Sequence, residues 1–342
     1  FRPYAAEAAA PAVFTPATGS LEGVAVLITG ANTGLGLESA KRLAAGGATL
    51  VLTARSQAKA DGAVAAVLAS SGADKSRVFG LPCDLADLAS IKALPARLEA
   101  KLGPEPKLSV LLNNAGIMAV PSRLSTADGF ERTVGVNHLG HFALLAALLP
   151  SLRRSPSFRV VTVSSAAHTF ASKDNIRDSL DASLDPAEYS QWGSYGVSKA
   201  CNVLFSLELQ RRLDEAGLGG RASAVALHPG LVNTDLPRYV IGGVDAGDMR
   251  PVSEKAEEKP TGLGALVQGA VNTVVLPVDR GANTQVYLAS GADSGGDLGA
   301  RPAGIYFDKM ESVKASGAAT DPELARRLWD LSERLTGVKP QI

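Results

Sequence analysis

A tyrosine and a lysine stand four residues apart in the stretch SYGVSKACNV, residues 194–203. On a helix, side chains at that spacing lie one above the other on the same face. An ammonium group held near a phenol stabilises the phenolate, so Lys199 is predicted to lower the pKa of Tyr195 from its ordinary value of about 10 toward working pH. A phenol tuned in this way can donate and recover a proton. The pair therefore predicts general acid chemistry.

Two more polar side chains fit the same chemistry. The predicted strand FRVVTVSS ends at Ser164 and Ser165 before this helix, and Ser165 would present its hydroxyl to a substrate oxygen beside Tyr195. Serines of an ordinary turn are the alternative. Asn137 lies within a predicted helix over 129–152, where asparagine is disfavoured and needs a reason. A satisfied structural amide is the alternative at that position.

A glycine-rich turn opens the first predicted helix. The strand GVAVLITG runs into TGANTGLG, which places Gly30, Gly34 and Gly36 between a strand and a helix. Such a turn lets the backbone approach a pyrophosphate at a helix N-terminus, where N–H groups and the helix dipole favour anions. The spacing is GxxxGxG rather than GxGxxG. The turn predicts a dinucleotide site.

The end of the second predicted strand discriminates between cofactors. An acidic side chain there would bind the adenine ribose hydroxyls, but the sequence is TARS, with Arg55 and no carboxylate. A guanidinium suits a 2′-phosphate, so NADPH is favoured over NADH, with a surface arginine as the alternative. Asp84 follows the third strand and NNAG, residues 113–116, follows the fourth. Ligands bind at this carboxyl edge of an open α/β sheet.

The order of elements predicts the scaffold. Short β-branched runs alternate with helical stretches from residue 23 onward, which is typical of βαβ units. Six such strands predict a doubly wound parallel sheet, a three-layer α/β/α Rossmann fold in a single domain. Residues 304–307 are predicted as a last edge strand. Further helices are predicted over 35–47, 57–70, 86–102 with a kink at Pro95, 195–215, 263–276, 280–290 and about 321–336, where Asp321 and Pro322 give a start signal.

Three segments interrupt or precede this alternation. Residues 1–20 are rich in Ala and Pro and are predicted to form an extended arm before a domain over 21–342. Residues 166–192 are polar and predicted to be irregular, as are residues 235–262. Loops of this length in a compact domain are usually functional or disordered.

Composition excludes several classes of protein. The 342 residues are 46% hydrophobic and 20% charged with a net charge of zero, which predicts a globular protein and gives no basic surface for nucleic acid. Cys83 and Cys201 form no CxxC motif, so no disulfide or zinc site is expected and a reducing compartment is favoured. His138 and His141 are predicted to pack or cap rather than bind a metal.

The apolar run FALLAALLP is shorter than the roughly 20 residues of a membrane span. A start at Phe1 rather than Met leaves two compartments open, an organelle such as a plastid and the cytoplasm.

Taken together, the motifs resemble those of the short-chain dehydrogenase/reductases. The resemblance covers about residues 21–336 through TGANTGLG, NNAG, the Asn137 helix, Ser165, YGVSK and HPG. ANTGLG, NHLGHF, SKACNVLF and GANTQVYLASG look like the retinol dehydrogenase branch, which lies near the light-dependent protochlorophyllide reductases. The resemblance implies an NADPH-dependent oxidoreductase that transfers a hydride between nicotinamide and a carbonyl or alcohol.

The resemblance also implies roles for particular residues. Tyr195 would donate the proton, and Lys199 would hold the nicotinamide ribose and tune Tyr195. Ser165 would polarise the carbonyl, Asn137 would complete a proton relay through water, and residues 235–262 would form a substrate lid. The dinucleotide would contact Tyr195, Lys199 and a further set of residues: Gly30, Asn32, Thr33, Gly34, Leu35, Gly36, Arg55, Asp84, Leu85, Asn113, Ala115, Gly116, Pro229, Gly230, Val232 and Thr234.

Two other functions stay open on the sequence. One is reduction of a ring double bond, as in protochlorophyllide reductase. The other is a short-chain dehydrogenase fold kept as a non-catalytic subunit of a larger assembly, since folds outlive their chemistry. The expected substrate is a small or medium apolar carbonyl or alcohol. A homodimer or a larger assembly is the expected form of association, and neither nucleic acid nor a metal is an expected partner.

Overall fold

The computed structural model describes residues 12–185, 187–232 and 276–342. These residues form one sheet of eight strands with helices on both faces, so the predicted α/β Rossmann fold is confirmed. Two apolar clusters cover the sheet, one on each face, with Leu27 and Val51 in one and Ile28 and Leu52 in the other. Thr234, the predicted loop over 235–262 and nearly all of the predicted helix over 263–276 lie outside the described residues.

The strands follow the predicted order. The sheet order is β3-β2-β1-β4-β5-β6-β7-β8, and every neighbouring pair is parallel except β7 and β8. The strands are β1 (Ala25–Thr29), β2 (Thr49–Ala54), β3 (Val78–Pro82), β4 (Val110–Asn113), β5 (Phe158–Val163), β6 (Ala222–Leu227), β7 (Tyr306–Asp308) and β8 (Glu311–Ser312). In β4, β5 and β6 every residue is buried, as expected for parallel strands covered on both faces.

The far edge of the sheet differs from the prediction. The segment over 304–307 was expected to be the edge strand, and this is wrong because β8 pairs antiparallel to β7 outside it. Lys309 and Met310 join the two strands with φ values of 52° and 67°. Both values are in the left-handed region that a tight hairpin turn requires.

The helices confirm most of the predicted stretches, with two differences. The single helix predicted over 86–102 is divided into α3 and α4 at Ala93, so the kink or break expected at Pro95 is a break just before it. Residues 166–192 were expected to be irregular, but they hold a 3₁₀ turn, Ala166–Phe170, and a helix that starts with a capping box between Ser172 and Asn175. The helices are α1 (Gly34–Ala45), α2 (Gln57–Ser71), α3 (Leu88–Lys92), α4 (Leu94–Leu102), α5 (Arg132–Arg153), α6 (Lys173–Asp181), α7 (Gln191–Glu215), α8 (Val278–Gly281), α9 (Asn283–Ala289) and α10 (Pro322–Thr336).

Helix α5 contains a π turn, Gly135–Leu139, between its first residues and its long α-helical part. Single π turns inside α-helices occur frequently at functional sites. By length and hydropathy α5 could cross a bilayer, but 78% of its apolar window is buried inside the protein. Within the fold it is a core helix.

The terminal helix covers the outer faces of α5 and α7. Trp329 of α10 stacks on Phe205 with ring centroids 5.9 Å apart and meets Phe142 edge-on at 5.0 Å. Asp321 caps α10 as predicted, because its carboxylate accepts from the N–H groups of Glu323 and Leu324. The packing of α10 covers one side of α7, and the other side of α7 faces the carboxyl edge of the sheet.

The segment that enters the first strand is docked on the helices. Asn283 accepts a hydrogen bond from the N–H of Phe14 and donates one to the carbonyl of Ala12. The Phe14 ring packs edge-on against Tyr287 of α9 at 5.4 Å. Residues 12–14 of the predicted arm therefore lie against the domain, and residues 1–11 lie outside the described residues.

Candidate active site

The predicted site residues gather at the carboxyl edge of the parallel strands. β1 ends in the glycine turn, β2 ends before Arg55, β4 ends at Asn113 and β5 ends just before Ser165. Tyr195 and Lys199 lie in the first half of α7, and Ser165 is the N-cap of the 3₁₀ turn that follows β5. One edge of the sheet thus holds the groups predicted for proton transfer and those predicted for dinucleotide binding.

Tyr195, Ser165 and Lys199 lie together. The Ser165 hydroxyl is near enough to the Tyr195 phenol to lower its pKa. The N–H of Ala167 donates to Ser165 Oγ at 3.2 Å, and the Ser165 hydroxyl keeps one hydrogen to donate and one further acceptor position. Lys199 Nζ is 5.8 Å from the centroid of the Tyr195 ring and donates to the carbonyl oxygen of Val163 at 3.0 Å.

The pKa of Tyr195 differs from the prediction. Burial raises it to about 12, and the nearby Ser165 hydroxyl only partly opposes this. Burial also lowers the pKa of Lys199 to about 8. The lowered phenol pKa predicted from the Tyr-Lys spacing is wrong in this structure, because the ammonium points toward Val163 and desolvation dominates. Tyr195 is consequently a neutral phenol near pH 7, the form that can donate a proton.

Asn137 ties three elements together from inside the π turn. Its Oδ1 accepts from the N–H of Ile117 at 2.8 Å, and its Nδ2 donates to the carbonyl of Ile117 at 2.9 Å and to Ser198 Oγ at 3.0 Å. Ser198 in turn donates to the carbonyl of Tyr195 at 2.8 Å. A Cβ on Gly116 would lie 3.3 Å from Asn137 Oδ1 and 3.4 Å from Lys199 Nζ. The amide of Asn137 therefore holds the end of β4 against α7.

The glycine turn after β1 forms a close cradle. Gly30 and Gly34 have φ values of 62° and 53°, which L side chains rarely adopt. A Cβ on Gly36 would come within 2.5 Å of the carbonyl oxygen of Gly30 and of Asn114 Nδ2. Thr33, the N-cap of α1, makes no capping hydrogen bond with its side chain, and no acidic residue lies in the first turn. This backbone fits a pyrophosphate.

Two residues that the sequence reasoning did not single out shape this cradle. Asn114 Nδ2 donates to the carbonyl of Thr29 at 2.8 Å. Thr29 Oγ1 accepts from the N–H groups of Asn114 and Ala115, both at 2.9 Å. Asn113, by contrast, is fully buried, and its Nδ2 is 3.4 Å from Thr162 Oγ1. The motif NNAG was the available signal, but it does not tell which asparagine faces the turn.

The residues predicted for the adenosine end occupy the edges of β2 and β3. Arg55 follows β2 directly and is exposed, and Ser56 caps α2. Asp84 Oδ1 accepts from the N–H of Ala86 at 3.0 Å. Leu85 is buried against Gly140, where a Cβ would lie 2.5 Å from the Leu85 carbonyl oxygen.

The segment after β6 lies beside the glycine turn. Pro229 and Gly230 are partly exposed, and Gly230 has a φ of 84°. A Cβ on Gly281 would be 2.5 Å from Val232 Cγ2 and 3.0 Å from Leu35 Cδ2, so these two side chains meet over α8. Asn32 and Ala115 are partly exposed within the same turns. Among the residues that the structure describes, no cluster of His, Cys, Asp and Glu could hold a metal ion.

A histidine behind Ser165 was also missed by the sequence reasoning. His168 Nε2 accepts from the N–H of Ser316 at 3.0 Å, so its Nδ1 carries the hydrogen and donates to the carbonyl of Ser165 at 2.8 Å. The hydroxyl of Tyr306 lies 3.2 Å from Nδ1. Burial lowers the pKa of His168. This neutral imidazole fixes the backbone of Ser165 from the C-terminal segment.

Comparison with known proteins identifies the family. The family model described as short chain dehydrogenase matches residues 24–176. Retinol dehydrogenase 14 of Homo sapiens is 35% identical over 333 residues, which cover 94% of this chain and 88% of that protein. The chain is a short-chain dehydrogenase. The dehydrogenase is retinol dehydrogenase-like, since human retinol dehydrogenase 12 is also 34% identical over 93% of this chain.

Solved structures share the fold of the dehydrogenase. An uncharacterised protein from Mycobacterium paratuberculosis is 31% identical with a TM-score of 0.63, over 97% of this chain and 100% of that one. Two neighbours below 25% identity were solved with different dinucleotides. The Burkholderia phymatum protein, in complex with NAD, has a TM-score of 0.56 over 94% of this chain and 98% of its own. The Sphingobium yanoikuyae protein, in complex with NADPH, has one of 0.53 over 82% and 86%. The fold alone therefore does not choose between the two cofactors.

Proposed function

We propose that the dehydrogenase reduces a carbonyl to an alcohol, or runs the reverse reaction, with NADPH as the hydride donor and Tyr195 as the proton donor. The observation that carries this is the placement of Tyr195 beside Ser165 and Lys199, next to a glycine turn at which a Cβ on Gly36 would meet the Gly30 carbonyl oxygen. The groups proposed for proton transfer and those proposed for dinucleotide binding lie at one sheet edge. Both are needed for hydride transfer to a carbonyl.

The residues divide the chemistry between them. A bound reduced nicotinamide supplies the hydride for the carbonyl carbon. Ser165 donates the one hydrogen of its hydroxyl to the carbonyl oxygen, because that oxygen can only accept. Tyr195 then donates its proton to that oxygen. Lys199, whose Nζ is 5.8 Å from the centroid of the phenol ring, holds the nicotinamide ribose beside Tyr195 in this proposal.

The choice of NADPH rests on Arg55. It follows β2 with an exposed side chain, and the cap and first turn of α2 after it contain no carboxylate. A guanidinium at this place would bind a 2′-phosphate by charge-assisted hydrogen bonds. The adenine ribose of NADH offers no such anion.

An apolar substrate is supported by the side chains around Tyr195. Trp192 is 39% exposed and meets the Tyr195 ring edge-on at 6.5 Å. Phe170 is 58% exposed and lies against Gly196, where a Cβ would be 3.2 Å from the Phe170 Cβ. Leu231, 49% exposed, follows β6 at the same edge. Exposed large apolar side chains at one place mark a surface that binds apolar groups.

Affinity measurements test the cofactor choice. Arg55→Ala is expected to weaken NADPH binding by about 10- to 100-fold, the equivalent of one charged hydrogen bond, and to leave NADH binding within about twofold. Arg77→Ala removes the same charge at the amino edge, where Arg77 precedes β3, and should change neither affinity. Equal loss for both dinucleotides would overturn the choice of NADPH.

Turnover on a panel of apolar aldehydes, ketones and alcohols tests the reaction class. The proposal predicts dinucleotide-dependent conversion of members of the panel. Reduction of a ring double bond but of no carbonyl would instead indicate a protochlorophyllide-type reductase. A protein that converts neither kind of substrate would indicate a non-catalytic subunit.

A further inference from the structure

A second histidine of α5 lies one turn after Asn137 and faces the dinucleotide turn. His141 is buried, with 2% of its surface exposed. Its Nε2 is 2.9 Å from Thr29 Oγ1 at the end of β1, and its Nδ1 is 3.0 Å from the carbonyl oxygen of Asn137. The imidazole thus bridges the strand that enters the glycine turn and the π turn that carries Asn137.

The direction of both hydrogen bonds follows from Thr29. Its Oγ1 already accepts from two backbone N–H groups, those of Asn114 and Ala115. A hydroxyl has two acceptor positions and one hydrogen, so Thr29 donates to His141. The other nearby acceptor, the carbonyl of Leu112, is 3.5 Å away and too distant for a good bond.

The tautomer of His141 is therefore fixed. Nε2 is the acceptor, so the hydrogen is on Nδ1 and is donated to the carbonyl of Asn137. Burial lowers the pKa of His141 to about 4, so the ring is neutral near pH 7 and keeps this arrangement. A protonated ring would put two hydrogens between Nε2 and Thr29.

This bridge acts on the part of the site that Asn137 organises. The Asn137 amide clamps Ile117 and Ser198, and Ser198 is bonded to the carbonyl of Tyr195. A shift of the Asn137 backbone would move the wall formed by Gly116 and Ile117 and the first turns of α7. His141 is the link from this clamp to the strand end where the dinucleotide cradle begins.

We infer that His141 is a positioning residue, which holds the Asn137 clamp in register with the dinucleotide turn through a directed chain from Thr29 to Asn137. The inference rests on the proposed function, because the register matters only if a dinucleotide and a substrate meet Tyr195. His141 itself touches neither of them.

His138 provides a matched control. It lies in the π turn of the same helix, is as buried as His141 at 2% exposure, and is bonded through Nε2 to Ser332 Oγ of α10 at 2.8 Å. Its ring packs against Phe142 and Phe205, away from the sheet edge. Replacing either histidine removes an imidazole of equal size from one helix, but only His141 is connected to the dinucleotide turn.

The experiment compares four variants by thermal unfolding, by dinucleotide affinity from NADPH fluorescence, and by kcat and KM on the converted carbonyl. His141→Phe keeps the ring shape and loses both bonds, and should lower kcat by about 100-fold, the scale of a misplaced catalytic group. His141→Gln retains one donor and one acceptor and should recover most of kcat. His138→Phe should lower the melting temperature and leave kcat unchanged. His141→Asn keeps only the donor that faces the carbonyl of Asn137. It tests the bridge if His141→Phe does not fold.

The results separate the inference from the function on which it rests. A wild-type protein that binds no dinucleotide would overturn the proposed function. If the wild type binds and converts substrate, but His141→Phe and His138→Phe lower kcat by the same factor, the role of His141 is overturned. The role of His141 is also overturned if His141→Gln and His141→Asn do not have a higher kcat than His141→Phe. Their retained hydrogen-bonding groups predict that they do.

Discussion

Replacing Lys199 by methionine should make the protein more stable and less functional. Lys199 is buried, with 3% of its surface exposed, and it carries an ammonium whose burial is not offset by a carboxylate among the causes of its pKa shift. A Met side chain fills a similar volume without a charge. Under the proposed function the ammonium serves the reaction rather than the fold, so replacing it should change stability and activity in opposite directions.

The magnitude follows from the pKa. Burial lowers the pKa of Lys199 from 10.5 to about 8. Burying the charged form therefore lowers the unfolding free energy by about 3 kcal/mol. Loss of the bond from Nζ to Val163 costs about 1 kcal/mol, and the Val163 carbonyl keeps a second donor in Asn202 at 3.1 Å. Lys199→Met should therefore raise the unfolding free energy by about 2 kcal/mol near pH 7.

The pH dependence of the unfolding free energy tests separately whether the buried charge of Lys199 destabilises the fold. A lysine whose folded pKa lies below its unfolded pKa binds fewer protons when folded, so stability rises with pH between the two values. The cost of Lys199 is full below a pH of about 8 and is relieved as the pH rises toward 10.5. The advantage of Lys199→Met should shrink over that window.

Urea unfolding without dinucleotide, at about pH 7 and about pH 10, measures both effects. Lys92→Met, at an exposed position of α3, is the control and should stay within about 0.5 kcal/mol of the wild type at both values. A Lys199→Met protein that is less stable than the wild type near pH 7, or whose advantage is the same at both pH values, would refute the reasoning.

Three further perturbations test the cradle, the fold and the substrate surface. Gly36→Ala places a Cβ 2.5 Å from the Gly30 carbonyl and should weaken dinucleotide binding by about tenfold, measured by NADPH fluorescence; unchanged affinity would contradict the tight cradle. Asp293→Ala leaves Arg159 buried without its carboxylate partner and should lower the unfolding free energy by about 3 kcal/mol in urea, with kcat per folded molecule retained, since the ion pair lies at the start of β5. Trp192→Ala should raise KM about fivefold for aromatic carbonyls and leave KM for a small polar carbonyl unchanged, which steady-state kinetics can show.

Much of the fold was predictable because its signals are local. Three features depend on short stretches of sequence, and the structure confirms all three. They are the alternation of β-branched strands and helices, the glycine turn at residues 30–36 and the Asp321 cap. The π turn of α5 was not predictable, because it depends on Asn137 pairing with Ile117, a contact between segments. The capping box that begins α6 was a local signal within a segment that we predicted to be irregular.

The site shows the same division between local and tertiary information. Tyr195, Lys199 and Ser165 were predictable from spacing and strand ends, since parallel strands bring their carboxyl ends to one edge. The pKa of Tyr195 was predicted in the wrong direction, because burial and the distance to the ammonium come from the packed fold. Asn114 was not singled out, and His141 was predicted only to pack or cap, because both side chains contact Thr29 of a distant strand.

The central claim is that the phenol at position 195 supplies the proton to a substrate oxygen while the dinucleotide is held by other groups. Single-turnover oxidation of bound NADPH by a converted carbonyl, compared between wild type and Tyr195→Phe, tests it most directly. The rate should fall by about 1,000-fold in the variant, while the affinity for NADPH stays within about threefold. A variant that oxidises NADPH at the wild-type rate would contradict the account.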